Sequence, residues 1–296
     1  MISLENCKLC PRNCGVNRSK RVGFCGAKDK MVVARAALHF YEEPVISGIN
    51  GSGAIFFSYC NLKCIFCQNY EISWEHIGKE ISVKKFSDIC IRLQNEGAHN
   101  INLVTPTHFI PLVKEGLILA KKKGLSIPVV YNCSGYENVE ALKMLDGLID
   151  IYMPDFKYWD DDIAFKYSKC NDYKKYAIDA ICEMYRQVGK FTLDNNGLML
   201  KGVIVRHLLL PKRKDDAKRI VEYLYNTYGD NIFISIMNQY TPIKKLEFDE
   251  LNHSVFDDEY DEVINFACDL GVSNAFIQEG GTQKKSFIPD FKDQKF

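Results

Sequence analysis

The sequence predicts an α/β chain: a partial (β/α)6 barrel preceded by a small cysteine-rich, metal-binding segment. Three observations carry this. Strand-length apolar runs alternate with stretches of helical spacing through most of the 296 residues, a pattern that argues for parallel strands joined by right-handed crossovers. Cys60, Cys64 and Cys67 form a C-x3-C-x2-C loop directly after the first of those runs, on the end where α/β folds bind ligands. Four more cysteines, Cys7, Cys10, Cys14 and Cys25, crowd a stretch with little apolar periodicity.

In chain order, residues 1–50 read as a metal knot with a linker, 51–281 as the barrel and 282–296 as a tail folding over one end. The glycine-rich passage Ser47-Gly-Ile-Asn-Gly-Ser-Gly53 leads into a buried first strand, Ala54–Ser58. Further strands are expected at Ile101–Val104, Ile127–Tyr131, Leu148–Met153, Val203–Leu209 and Ile232–Met237. Helices are expected near 82–97, 111–123, 137–146, 173–189 and 213–228. Ser82 and Ser87 are candidate caps, and Lys121-Lys-Lys123 before Gly124 suits a helix C-terminus, where cations and a left-handed residue are favoured. Another helix over 257–270 and a short strand, Val272–Gln278, close the pattern. Six strands favour the partial barrel; a doubly wound sheet is the alternative.

Lys plus Arg balances Asp plus Glu, 38 against 38, so no overall field draws the chain to nucleic acid or membrane. No apolar run approaches the roughly 18 residues of a spanning helix. Met1–Asn6 has neither a basic start nor an apolar stretch, so no signal peptide is expected and a reducing cytoplasm is. There, clustered cysteines read as metal ligands before disulfides. Cys90, Cys170, Cys182 and Cys268 lie in helical or linker context and read as small core residues. Glu42-Glu43 and Lys212-Arg-Lys214 read as solvated.

The triad carries the chemistry. Closely spaced thiolates favour a soft metal centre, yet no fourth cysteine or nearby histidine completes this run, as a closed zinc or cubane site requires. Three thiolates on a four-iron cluster leave one iron open to a substrate or cofactor. A structural zinc loop with a distant fourth ligand is the bland reading. Phe66 precedes the last cysteine, and Gln68-Asn69 follow it.

This loop resembles that of the radical S-adenosylmethionine (SAM) superfamily. The resemblance implies a [4Fe-4S] cluster on Cys60, Cys64 and Cys67, SAM on its open iron, and Phe66 against the adenine. Met153-Pro-Asp-Phe-Lys157 is similar to the Met-x-Asp-x-Lys motif of pyruvate formate-lyase activating enzymes. Asn132-Cys-Ser-Gly-Tyr136 is similar to their Asp-Thr-Asn-Gly-aromatic stretch. The resemblance implies that Lys157 and Arg206 bind carboxyl groups, with Asp155 orienting Lys157. It also implies SAM-side contacts from Asn132 and Ser134, and a monovalent cation beside Met153 and residues 132–133. Where that family has Gly-Gly-Glu, this chain has Val104-Thr-Pro-Thr-His-Phe109. Thr105 and Thr107 stand in as acceptors for the SAM ammonium, and His108 joins Lys157 as a candidate catalytic residue. The neutral Asn132 weakens the cation site.

The four N-terminal cysteines suit a second metal site, zinc or iron–sulfur. With His39-Phe-Tyr-Glu-Glu-Pro44 and Val-Thr-Pro-Thr-His108, the chain resembles the PflX-like branch, homologues of pyruvate formate-lyase activating enzyme. That implies reductive cleavage of SAM and hydrogen abstraction from a protein or peptide substrate, with an electron donor such as flavodoxin or ferredoxin. A radical SAM enzyme acting on another peptide or a small molecule is the alternative. An iron–sulfur or zinc protein without catalysis is the third reading.

Overall fold

The computed structural model describes residues 3–278 and Phe291. Its strands are β1 (Met31–His39), β2 (Ser52–Phe57), β3 (Lys79–Ile81), β4 (Ile101–Val104) and β5 (Val129–Cys133), then β6 (Ile151–Pro154), β7 (Thr192–Leu193), β8 (Met199–Leu208), β9 (Phe233–Met237) and β10 (Ala275–Ile277). They form one sheet in the order β10-β9-β8-β6-β5-β4-β2-β1-β3, with β7 paired to β8 off this path. From β2 to β10 all neighbours on the path are parallel. The six expected parallel strands are β2, β4, β5, β6, β8 and β9. The end strands β10 and β3 do not pair, so the barrel is partial.

The helices are α1 (Pro44–Ser47), α2 (Tyr70–Ser73), α3 (Val83–Asn95), α4 (Ile110–Lys122), α5 (Val139–Leu142), α6 (Asp161–Ser168), α7 (Tyr173–Val188), α8 (Lys214–Tyr228) and α9 (Asp257–Leu270). Ser82 caps α3 by accepting from the Lys85 amide at 3.1 Å, satisfying one orphan donor of the first turn. Ser87 is no cap: it lies inside α3, buried, its hydroxyl unpartnered. Gly124 takes the left-handed conformation after α4, φ +96°, as its position after three lysines predicts.

Side-chain alternation decides between the two architectures. On β5 and β6, Val129, Tyr131 and Tyr152 face a core shared with Phe86 and Ile89 of α3, Val113 of α4, Ile181 of α7, Ile220 of α8 and Val263 of α9. Val130, Ile151 and Met153 face the other way, into a smaller cluster with Ile204 and Phe233. The long helices therefore cover one face and the opposite face turns inward, which is a barrel wall rather than a doubly wound sheet.

Six elements escape the sequence pattern: β1, β3, β7, α1, α2 and α6. β1 pairs antiparallel with β2 and β3 near the sheet edge, and its apolar residues, interrupted by Arg35, give no alternation to read. α6 is short and acidic at its start. The expected tail fold lies outside the described residues, except Phe291, which packs edge-to-face on Phe56 at 5.4 Å. Among the described residues, no helix is long and apolar enough to cross a membrane.

Candidate active site

The C-terminal ends of the parallel strands converge on one cavity, with about 1270 Å³ of empty space including its open mouth. The loop after β2 contributes Cys60, Cys64, Phe66, Cys67, Gln68 and Asn69. Thr105 comes from the end of β4, Asn132 to Ser134 from β5, Asp155 and Lys157 from β6, Arg206 and Leu208 from β8. His39 enters from the end of β1, and Tyr41 and Glu42 from the turn after it.

The cysteine loop is bent by two residues in the left-handed region, Tyr59 (φ +75°) and Lys63 (φ +55°), a conformation that disfavours side chains with a Cβ. Hydrogen bonds hold it there. The amides of Leu62 and Lys63 donate to Cys60 Sγ at 3.3 and 3.5 Å. Ser168 Oγ donates to Cys64 Sγ at 3.1 Å, and Trp74 Nε1 to the Cys64 carbonyl at 3.2 Å. Burial first, then Cys67 and Cys64, pushes the Cys60 thiol up to about 12. The loop is thus an environment that disfavours anionic sulfur unless a cationic centre compensates it.

Across the ends of β5, β6 and β8 runs a charged network. Asp155 accepts from Lys157 Nζ at 2.6 Å and from Arg206 Nε at 3.1 Å. Arg206 also donates to Glu42 at 3.1 Å and to Asn132 Oδ1 at 2.7 Å. Burial opposes the Asp155 charge, but Lys157 and Arg206 outweigh it and its pKa falls. Burial likewise opposes the Lys157 charge, and Asp155 and Cys64 overcome it and raise its pKa. Both groups are ionised at neutral pH. Gly135, φ +75°, is required beside them: a Cβ there would stand 2.1 Å from the Asp155 carbonyl oxygen.

Residues 54–224 match the sequence profile of the Radical SAM superfamily. The chain is also 31% identical to the uncharacterized protein MJ0674 of Methanocaldococcus jannaschii over 276 residues, 89% of this chain and 74% of that one. This chain belongs to the radical SAM superfamily. Among solved structures, it resembles Streptococcus suis SuiB bound to S-adenosylmethionine, with TM-score 0.50 and 12% identity over 75% of this chain and 48% of that one. It resembles SuiB bound to precursor peptide SuiA equally, with TM-score 0.50 and 14% identity over 74% and 46%. The chain spans about half the length of these SuiB chains, and at such identity the likeness is one of fold.

Radical SAM membership implies a [4Fe-4S] cluster and SAM. Among the described residues, no three His, Cys, Asp or Glu side chains are gathered tightly enough for a single metal ion. A four-iron cluster spreads its thiolates wider than one ion does. The donor set fits it: three thiols on one cavity wall, each of two receiving N–H or O–H donors, with Lys157 close enough to feel Cys64. Such donors and cations stabilise an anionic cluster.

The structure brings together Phe66, Thr105, Asn132, Ser134, Asp155, Lys157 and Arg206 with the triad, and leaves out two residues. Thr107 is buried outside the cavity, donating to Glu137 at 2.6 Å. His108 is also a correction: 2% exposed, with Nε2 2.7 Å from the Ser58 carbonyl. Burial and then Arg18 press its pKa down to about 3, and it is not among the residues lining the cavity, so it is placed as a brace of the Ser58 carbonyl rather than in the site. Glu42 and Glu43 correct the reading in the other direction. Glu43 is buried and Glu42 half-buried rather than solvated, and Glu42 lines the cavity while bonding Arg206 and, at 2.9 Å, Asn102. Nothing in the local sequence signals this, because Glu42 is drawn in by Arg206, 164 residues away.

Proposed function

We propose that this chain is a radical SAM enzyme of the activating-enzyme type, from the PflX-like branch, that removes a hydrogen atom from a glycine of a protein or peptide partner. The observation that carries this reading is the joining, in one open cavity, of three loop thiols with the Asp155–Lys157–Arg206 network. Cys60, Cys64 and Cys67 would hold the cluster and leave one iron to SAM. Lys157 and Arg206 would take its carboxylate, with Asp155 fixing the direction of both. Phe66 offers the adenine an apolar ring. Ser134, whose buried hydroxyl has no partner, and Thr105 offer acceptors to the ammonium, with Asn132 holding Arg206 in place. Glu42 brings to the same wall a carboxylate that the end of β4 lacks. When bound, the cluster and SAM supply a one-electron reductive cleavage that yields a 5′-deoxyadenosyl radical.

The mouth supports a peptide substrate. Tyr41, which lines the cavity, is 61% exposed, an aromatic contact that a peptide chain can use. SuiB, of the same fold, is described bound to its precursor peptide SuiA, so the architecture admits a peptide. An electron donor such as flavodoxin or ferredoxin would supply the reducing equivalent in a reducing cytoplasm. The N-terminal cysteines, not gathered tightly enough for a single zinc ion, would hold an iron–sulfur cluster as a second metal centre. Cys25 lies within electrostatic reach of Cys7, Cys10 and Cys14, and Cys14 Sγ accepts from the Phe24 amide at 3.3 Å.

Anaerobic reconstitution with iron, sulfide, SAM and a strong reductant tests the reading. 5′-Deoxyadenosine forms with the native chain and not with Cys64→Ala. Equal yields from both would remove the catalytic assignment. A glycyl radical detected by electron paramagnetic resonance (EPR) on a candidate partner then identifies the substrate type, and its absence with radical chemistry intact points to another peptide or a small molecule.

A further inference from the structure

Arg12 sits inside the first N-terminal cysteine turn, between Cys10 and Cys14, yet its side chain spends its hydrogen bonds elsewhere. Nε donates to the Asn61 carbonyl at 3.1 Å, and one terminal nitrogen donates to the Leu62 carbonyl at 3.4 Å and the Ser168 carbonyl at 2.8 Å. The other terminal nitrogen donates to the Lys169 carbonyl. Two of these acceptors belong to the cysteine loop, just before Cys64. The other two end α6, where Lys169 turns left-handed at φ +51° and Ser168 Oγ donates to Cys64 Sγ at 3.1 Å. The guanidinium lies 3.8 Å over Phe24 and 5.3 Å from the centre of Tyr136. Phe24 belongs to the second cysteine turn, beside Cys25, and the Tyr136 carbonyl in turn accepts from Asn61 Nδ2 at 2.7 Å.

Both turns of the knot thus grip one cation whose fork fixes both supports of the Cys64 ligand. Among the described residues Arg12 has no carboxylate partner, so its charge is left facing the cysteine loop. A planar fork that binds four carbonyls is a task a point charge such as lysine cannot perform.

We infer that Arg12 is a positioning residue that couples the order of the N-terminal cysteine knot to the geometry and charge of the cluster loop. The inference rests on the reading of Cys60, Cys64 and Cys67 as cluster ligands. It makes the knot a support for the radical centre, whatever metal the knot carries. An anionic cluster beside an uncompensated guanidinium is easier to reduce, so Arg12 also favours the reduced state.

The test uses the full chain as Arg12→Ala, Arg12→Lys and Phe24→Ala. Before reconstitution, hydrogen exchange of amides 59–69 is expected to rise roughly 10- to 100-fold in Arg12→Ala, the factor that losing a charged hydrogen bond sets. Arg12→Lys loosens the same amides because the fork is lost, and Phe24→Ala does so by less, with far-UV circular dichroism unchanged. After reconstitution, the cluster midpoint potential falls in Arg12→Ala and is restored in Arg12→Lys, which keeps the charge. Exchange at 59–69 equal to native in Arg12→Ala overturns the inference, and so does loosening spread evenly over the chain. If a triple Cys60/Cys64/Cys67→Ala variant binds as much iron as the native chain, the cluster reading itself fails. The exchange measurement still decides the coupling in that case.

Discussion

Arg206 stands among Glu42, Asp155 and Asn132, and a lysine there could keep the charge but not the three directions. Arg206→Lys is expected to cost roughly 1–3 kcal/mol, since at least one buried carboxylate loses its partner. SAM binding should weaken by about tenfold or more on the same account, measured by titration calorimetry on the reconstituted protein. Glu137 gives the pH prediction. Burial holds it up at about 7 against an ordinary 4.5, with the Thr107 and Tyr131 hydroxyls bonding its oxygens. The folded state therefore keeps a proton that the unfolded chain releases, so this stability is full below pH 4.5 and is lost as pH rises through 7. Thermal melts across that window should show native Tm falling with pH while Glu137→Gln is flatter, a difference of up to about 3 kcal/mol. A parallel pair of curves would sink the argument. The motif residues Asp155, Lys157 and Arg206 were legible because strand ends bring short local motifs to one place. His108 and Glu42 were not. Whether a histidine faces a cavity or braces a carbonyl, and whether an acid stays in water, depends on partners far away in sequence.

At the scale of elements, the parallel strands could be read because each is a bounded apolar run, buried on both faces. β1 could not, since Met31–His39 is interrupted by Arg35, is only partly buried over Ala37–His39, and pairs antiparallel between β2 and β3. The helix expected over 137–146 is only the short α5 followed by a 3-10 turn at Lys143–Leu145. Asn138 caps it, accepting from the Glu140 amide at 3.4 Å, and Gly147 turns left-handed (φ +76°) just beyond the 3-10 turn. α3 and α4 show how closely the outer layer packs. A Cβ on Gly116 of α4 would come within 2.3 Å of the Phe86 ring of α3, and Phe86 is fully buried. Gly116→Ala is therefore expected to destabilise by about 1–3 kcal/mol despite the better helix propensity of alanine. Urea denaturation checks it. Stabilisation instead would mean that the two helices separate freely, and that Gly116 is not what sets their approach. Ser82→Ala, removing the α3 cap, should cost about 1 kcal/mol in the same assay.

The whole molecule joins three parts whose order is mutually dependent: the N-terminal knot, the cysteine loop and the barrel wall. The loop owes little to its own sequence, since its two left-handed residues are conformations that non-glycine residues adopt only under constraint. Its constraints come from Arg12 on one side and from Ser168 and Trp74 on another. A ligand that binds only the folded, cluster-loaded protein must then stabilise the chain as a unit. Adding SAM at about a hundred times its dissociation constant should stabilise the reconstituted protein by ~2.7 kcal/mol. The same addition to Cys64→Ala, or to the native chain before iron is supplied, should leave Tm in place, because Lys157 and Arg206 remain engaged with Asp155 and Glu42 and no open iron recruits SAM. Equal stabilisation of the loaded and iron-free proteins would show that the strand-end network binds SAM without the triad. The cysteine loop would then be a support for the cavity rather than the place where the cofactor is held.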